Sequence, residues 1–194
     1  MWKTALVVGA AALLAGCQDS RQANEENFST AIQSYLDSRD GLCVGVPGRS
    51  YPYQAEHDSP LIVEDRARLA ALASVGLVRQ VGTEQAPRYE LTPQADTYLR
   101  RAGSEPSQGE RDAFCTGRLV LKRINYFTEP ASAGGFTVSQ VNYVYHLADA
   151  APWITDGAVL DAYEDLRALT APEVQGQARL ILTNKGWVHQ NLFR

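Results

Sequence analysis

The sequence predicts an α+β fold: a helix-rich first half followed by an antiparallel sheet with one packing helix. Three observations predict it. Apolar residues recur at helical spacing at Phe28, Ile32, Tyr35 and Leu36, and again at Leu69, Leu72, Ala73 and Val75. Cap-plus-proline pairs, Ser59-Pro60 and Thr92-Pro93, stand where helices would begin. Two runs rich in Val, Ile, Tyr and Leu, Arg118 to Phe127 and Phe136 to Leu147, are joined by the turn chemistry of Glu129-Pro130-Ala131-Ser132-Ala133-Gly134-Gly135.

Taken in order, the first helix covers Phe28 to Leu36 and stops at Gly41. Leu42 to Pro60 is rich in Gly, Pro and Tyr and has no sustained period, so it reads as a long loop that needs tying down. A second helix starts at Ser59-Pro60 and ends at Gly76. Leu77-Val78 and Tyr89-Glu90-Leu91 flank the polar turn Gly82 to Pro87 and form a hairpin. After Thr92-Pro93, a third helix buries Ala95, Tyr98 and Leu99. Helix, helix, two-stranded wing, helix resembles a winged-helix arrangement over residues 28–101, carried by Leu69 to Val78 and Tyr89-Glu90-Leu91-Thr92.

The stretch from Ala102 to Asp112 is Gly, Ser, Pro, Gln and Glu and separates this unit from a second one over residues 113–194. In its long hairpin, Val141, Tyr143, Tyr145 and Leu147 share one face at period two, opposite Val138 and Val144. Thr155 or Asp156 caps a helix running to Leu169, and Arg179 to Leu182 forms a short strand that turns at Thr183 to Gly186.

The first seventeen residues set the location. Met1-Trp2-Lys3 is a short basic start, and Ala5 to Leu14 is apolar but far too short to span a bilayer, which needs about twenty residues. The ending Leu14-Ala15-Gly16-Cys17 resembles a bacterial lipobox. The resemblance implies that residues 1–16 are a lipoprotein signal peptide and that Cys17 becomes the acylated first residue of the mature chain. Residues 17–27 then read as a polar tether. Gln18, rather than Asp, follows Cys17, which in lipoproteins of this kind implies the outer membrane, facing the periplasm.

Of three cysteines, Cys43 and Cys115 remain once Cys17 is assigned to lipid. In an exported protein they pair as a disulfide worth about 4 kcal/mol; otherwise they are two buried thiols. His57, His146 and His189 show no ligand spacing with them, so neither a metal nor a cofactor is expected.

A net charge of -4 gives no electrostatic attraction for nucleic acid. Glu64-Asp65-Arg66-Ala67-Arg68 is balanced in charge and reads as a solvated helix face. There is no Gly-x-Ser-x-Gly elbow. In Glu56-His57-Asp58-Ser59, acid, base and hydroxyl are consecutive, and consecutive side chains rarely converge on one point. Glu129 and Glu164 carry no signature of a carboxylate pair. No catalytic residue is assigned. Tyr126, Tyr143, Tyr145, Trp153 and Trp187 are either a binding surface or core filling. The expectation is a membrane-anchored, non-enzymatic protein-binding or accessory module whose partner is another envelope protein. The alternatives are an envelope hydrolase acting on a small molecule or glycan, and a small-ligand-sequestering lipoprotein.

Overall fold

A computed structural model describes residues 19–48, 51–54, 60–83, 87–102 and 111–194. The lipobox-like Leu14 to Cys17, Gln18, and Glu56 to Ser59 lie outside them. The described chain is a mixed α/β structure with more strand than helix and with every strand pair antiparallel. Among the described residues no helix is long and apolar enough to cross a membrane.

Two cores organise it. The first element, α1 (Glu25–Asp37), is capped by Asn24, whose side-chain oxygen accepts from the Asn27 amide at 2.8 Å. It buries Phe28, Ala31, Ile32 and Leu36 against a sheet in the order β11-β10-β9-β7: β7 is Arg118–Phe127, β9 Phe136–Ala148, β10 Val174–Thr183 and β11 Gly186–His189. The short strand β8 (Ala131–Ala133) adds to the start of β9. The ring of Phe28 sits edge-on to Phe127 at 4.8 Å and to Trp187 at 4.9 Å. Gln33 ties the helix to β7: its amide donates to the Leu119 carbonyl, and its carbonyl accepts from the Leu121 amide. Val141 and Tyr143 fill this core from β9, on the face their spacing predicts. Gly176 lies opposite Tyr143, where a Cβ would sit 2.4 Å from the tyrosine ring, so only glycine fits beneath it.

The second core gathers α2 (Pro60–Ser74), the hairpin β3 (Val78–Gly82) and β4 (Pro87–Leu91), and a small sheet of β1 (Leu42–Gly45), β6 (Ala113–Thr116) and β5 (Leu99–Arg100). A short strand, β2 (Tyr53–Gln54), adds to β4. Leu69, Leu72, Leu77, Phe114, Trp153 and Ile154 form its centre. The last two come from the segment after β9, with α3 (Gly157–Ala162) and α4 (Leu166–Leu169).

The two cores therefore interleave along the chain rather than following residues 28–101 and 113–194. The first helix of the expected winged-helix unit packs on the C-terminal sheet, because its apolar stripe meets Trp187 and Phe127. The expected third helix contracts to one 3₁₀ turn, Ala95–Thr97, followed by β5. The Thr92 hydroxyl donates to the Gly76 carbonyl, and the Tyr98 carbonyl accepts from the Cys115 amide, which commits the following residues to the sheet.

The expected tether also folds early. From Asp19 the chain is pinned, with the Trp187 indole N–H donating to the carbonyls of Arg21 and Gln22, both at 3.1 Å, and α1 starts at Glu25. The helix expected to run to Leu169 starts where Asp156 caps it but breaks at Tyr163, which takes extended backbone angles.

Candidate functional site

Cys43 and Cys115 are joined as a disulfide across β1 and β6, at directly opposite positions. Cys115 is buried and Cys43 is exposed. The backbone of Cys115 faces β5, since its amide donates to the Tyr98 carbonyl at 2.9 Å. In an antiparallel pair this makes Cys43 and Cys115 a non-hydrogen-bonded pair. The amide and carbonyl of Cys43 consequently turn away from β6, toward the outer edge of β1. Gly45 turns the same way, and its carbonyl accepts a hydrogen bond from the Tyr163 hydroxyl at 2.9 Å.

A groove runs along this edge, between β1 and the α3–α4 segment. At one end a cavity of about 410 Å³ is lined by Arg39, Asp40, Leu42, Leu119, Tyr145 and Leu169, with Cys43 between them. Past Cys43 and Leu169, a second cavity of about 290 Å³ is bordered by Glu64, Arg68, Tyr163, Glu164, Asp165 and Leu166. A third, of about 150 Å³, continues beyond Tyr163 to Asp65 and Arg111. Gly41 lets the chain turn from α1 into β1. It has φ +77°, and a Cβ there would meet the Gly117 carbonyl at 2.3 Å.

Electrostatics fix the middle of the groove. Arg68 forms an ion pair with Glu64 one helical turn earlier and lays its guanidinium 5.2 Å from the centre of the Tyr163 ring. Burial holds the Tyr163 phenol above its usual range, against the pull of Arg68, so it stays protonated and remains a donor to Gly45. Burial also raises Tyr145, against Arg39. Arg68 is thus engaged within the protein, in keeping with the charge balance of its segment.

The five aromatic residues singled out in the sequence do not form one surface. Tyr143, Trp153 and Trp187 are buried: Tyr143 and Trp187 under α1, Trp153 against Tyr98 and Phe114 in the other core. Burial pushes the Tyr143 phenol up to about 12. Tyr126 is exposed on β7, and Tyr145 alone of the five lines the groove. Core filling claims the buried three because each packs beneath a helix or between rings. The groove's own determinants, the β1 edge with Arg68, Tyr163 and Leu169, are not apparent from the sequence. The signal available was the alternation Leu42-Cys43-Val44-Gly45-Val46, which places Leu42, Val44 and Val46 on one face.

The histidines and carboxylates are dispersed. His189 is buried, stacked on Tyr35 at 3.7 Å, and its Nδ1 accepts from the Asn191 amide. His146 is half-buried on β9, with Nδ1 lacking a hydrogen-bond partner among the described residues. Glu129 is exposed beside β8, whereas Glu164 borders the groove. Among the described residues no three His, Cys, Asp or Glu side chains gather as a metal site.

No protein-family model matches this chain, and no curated protein or solved structure matches it.

Proposed function

We propose that the chain is a lipoprotein of the bacterial cell envelope, acylated at Cys17, held in the outer membrane facing the periplasm, and acting as a non-enzymatic protein-binding or accessory module. One observation carries the binding reading: the outward-turned backbone of Cys43 at the free edge of β1, flanked on both sides by partly apolar cavities. An extended segment of another envelope protein would hydrogen-bond to that edge and seat side chains on either side of Leu169. Tyr163 closes the edge at Gly45 and limits how far such a segment can pair. The order α2, β3, β4 supports a winged-helix-like reading of that portion alone, as scaffold for Arg68 rather than as a nucleic-acid reader.

The test is a pull-down from detergent-solubilised envelopes with the acylated protein and its Leu169→Asp variant. An envelope protein retained by the first and lost by the second supports the reading. No partner above background contradicts it.

A second reading rests on the cavity of about 410 Å³, whose Leu42, Leu119, Tyr145 and Leu169 suit a small apolar ligand with a polar end at Arg39. Thermal-shift screening of envelope small molecules separates it from the first, because a ligand that binds only the folded state raises apparent stability.

A further inference from the structure

Residues Ser20 to Gln22 are held against one end of the large sheet. The Ser20 hydroxyl donates to the Lys185 carbonyl at 3.3 Å, in the turn between β10 and β11. A Cβ on Gly186 would lie 2.8 Å from the Ser20 carbonyl oxygen, so the two backbones touch. Trp187 holds the next two carbonyls. Cys17 is two residues before Asp19, so their Cα atoms are at most about 7 Å apart.

The same sheet end carries the exposed rings of Phe136 (46% exposed) and Phe193 (38%), which meet edge-to-face at 5.2 Å. The register Ile181↔Val138 continues to set Phe136 opposite Thr183, which pairs with Gly186. Phe136 therefore stands two strand spacings, about 10 Å, from the point where Ser20 touches the sheet. Val138 and Ile181, both half-buried, extend the apolar patch on the same sheet face. Exposed Lys185 lies in the adjoining turn and Arg194 follows Phe193.

From this juxtaposition we infer that the sheet end bearing Phe136 and Phe193 is a bilayer-contact surface, with both rings entering the headgroup region beside the acylated Cys17. The inference rests on the lipid-anchor reading above. Two exposed rings with flanking cations fit an interfacial environment, where aromatic groups face the acyl boundary and cations meet lipid phosphates. The acyl chains supply the attachment and the rings set its orientation. The groove sits at the opposite end of the sheet, where Tyr145 pairs with Val174. Tyr145 lies nine positions along β9 from Phe136, so the groove is held about 30 Å farther from the bilayer.

The experiment uses the acylated protein in vesicles of phosphatidylethanolamine and phosphatidylglycerol, with acyl chains either plain or brominated near the carbonyl end. Three variants each add one tryptophan to the buried Trp153 and Trp187: Phe136→Trp, Phe193→Trp and, as a control farther up the same sheet face, Tyr126→Trp. Vesicle flotation is read first. Floating protein in which the added emission at 136 and 193 is quenched by bromine, and that at 126 is not, supports the inference. Floating protein with either the 136 or the 193 emission unquenched overturns it while leaving the anchor intact. Protein that does not float overturns the anchor reading and this inference with it.

Discussion

The Tyr163 hydroxyl donates to the Gly45 carbonyl across 118 residues of sequence, and this bond ties the two sides of the groove together. It joins the break between α3 and α4 to the free edge of β1, with Arg68 stacked over the ring. Tyr163→Phe keeps the ring and removes the bond. The expected loss is about 1 kcal/mol, the usual net worth of such a hydrogen bond. It should appear as a lower urea midpoint with an unchanged slope.

The disulfide closes a sequence separation of 72 residues. Reduction, or replacement of both cysteines by alanine, should cost about 4 kcal/mol on the chain-entropy account. A melting temperature unchanged by reductant would refute the contribution. Because β1 is the edge strand of its sheet and pairs with β6 alone, the loss should fall first on the groove. Hydrogen exchange at Leu42 to Val46 should quicken before exchange at Val141 or Leu180.

Phe28 is fully buried and touches both Phe127 and Trp187. Phe28→Ala should cost about 3–5 kcal/mol, since the cavity lies under a helix that also holds the N-terminal residues. Trp187→Phe is the finer test. It removes the indole N–H from the carbonyls of Arg21 and Gln22, and should raise hydrogen exchange over residues 19–24 with only about 1 kcal/mol lost globally.

Burial lowers the pKa of His189, and its neutral Nδ1 accepts the Asn191 amide. The unfolded chain therefore binds a proton more readily than the folded one. Stability contributed by the neutral ring is fully present above the unfolded value, about 6.5, and falls as the pH drops from there toward the folded value. Urea unfolding at pH 7.5 and 5.5 should show the loss, and His189→Gln should flatten it. Glu173 acts in a lower window. Its hydrogen bond from Arg123, then that from Lys122, holds the carboxylate at about 2, so its support persists above the unfolded carboxylate value and fades between there and about 2.

Much of this fold was legible where one side chain in two or four meets a core. The β7–β9 hairpin, the inward face of Val141 and Tyr143 and the β3–β4 hairpin all follow from local pattern, whereas the disulfide partners follow from counting cysteines. The rest was decided by distant partners. Nothing in Phe28 or Ile32 says that their stripe meets Trp187 rather than α2. Likewise, Thr92-Pro93 begins a helix only until Tyr98 pairs with Cys115. The groove was hidden for the same reason: Gly45, Arg68, Tyr163 and Leu169 come from three separate segments, and only the fold sets them side by side. Trp153 and Trp187 read equally as binding surface or core filling, because residue type alone does not reveal what covers an aromatic ring, and both lie in the core.

The proposed membrane attachment, and with it the proposed placing of the groove away from the bilayer, depends on what Cys17 carries. Mass spectrometry of the mature protein from the membrane fraction should find residue 17 as its first residue, with acyl mass added. A soluble protein that retains Met1 and carries no acyl mass would contradict the account at its base.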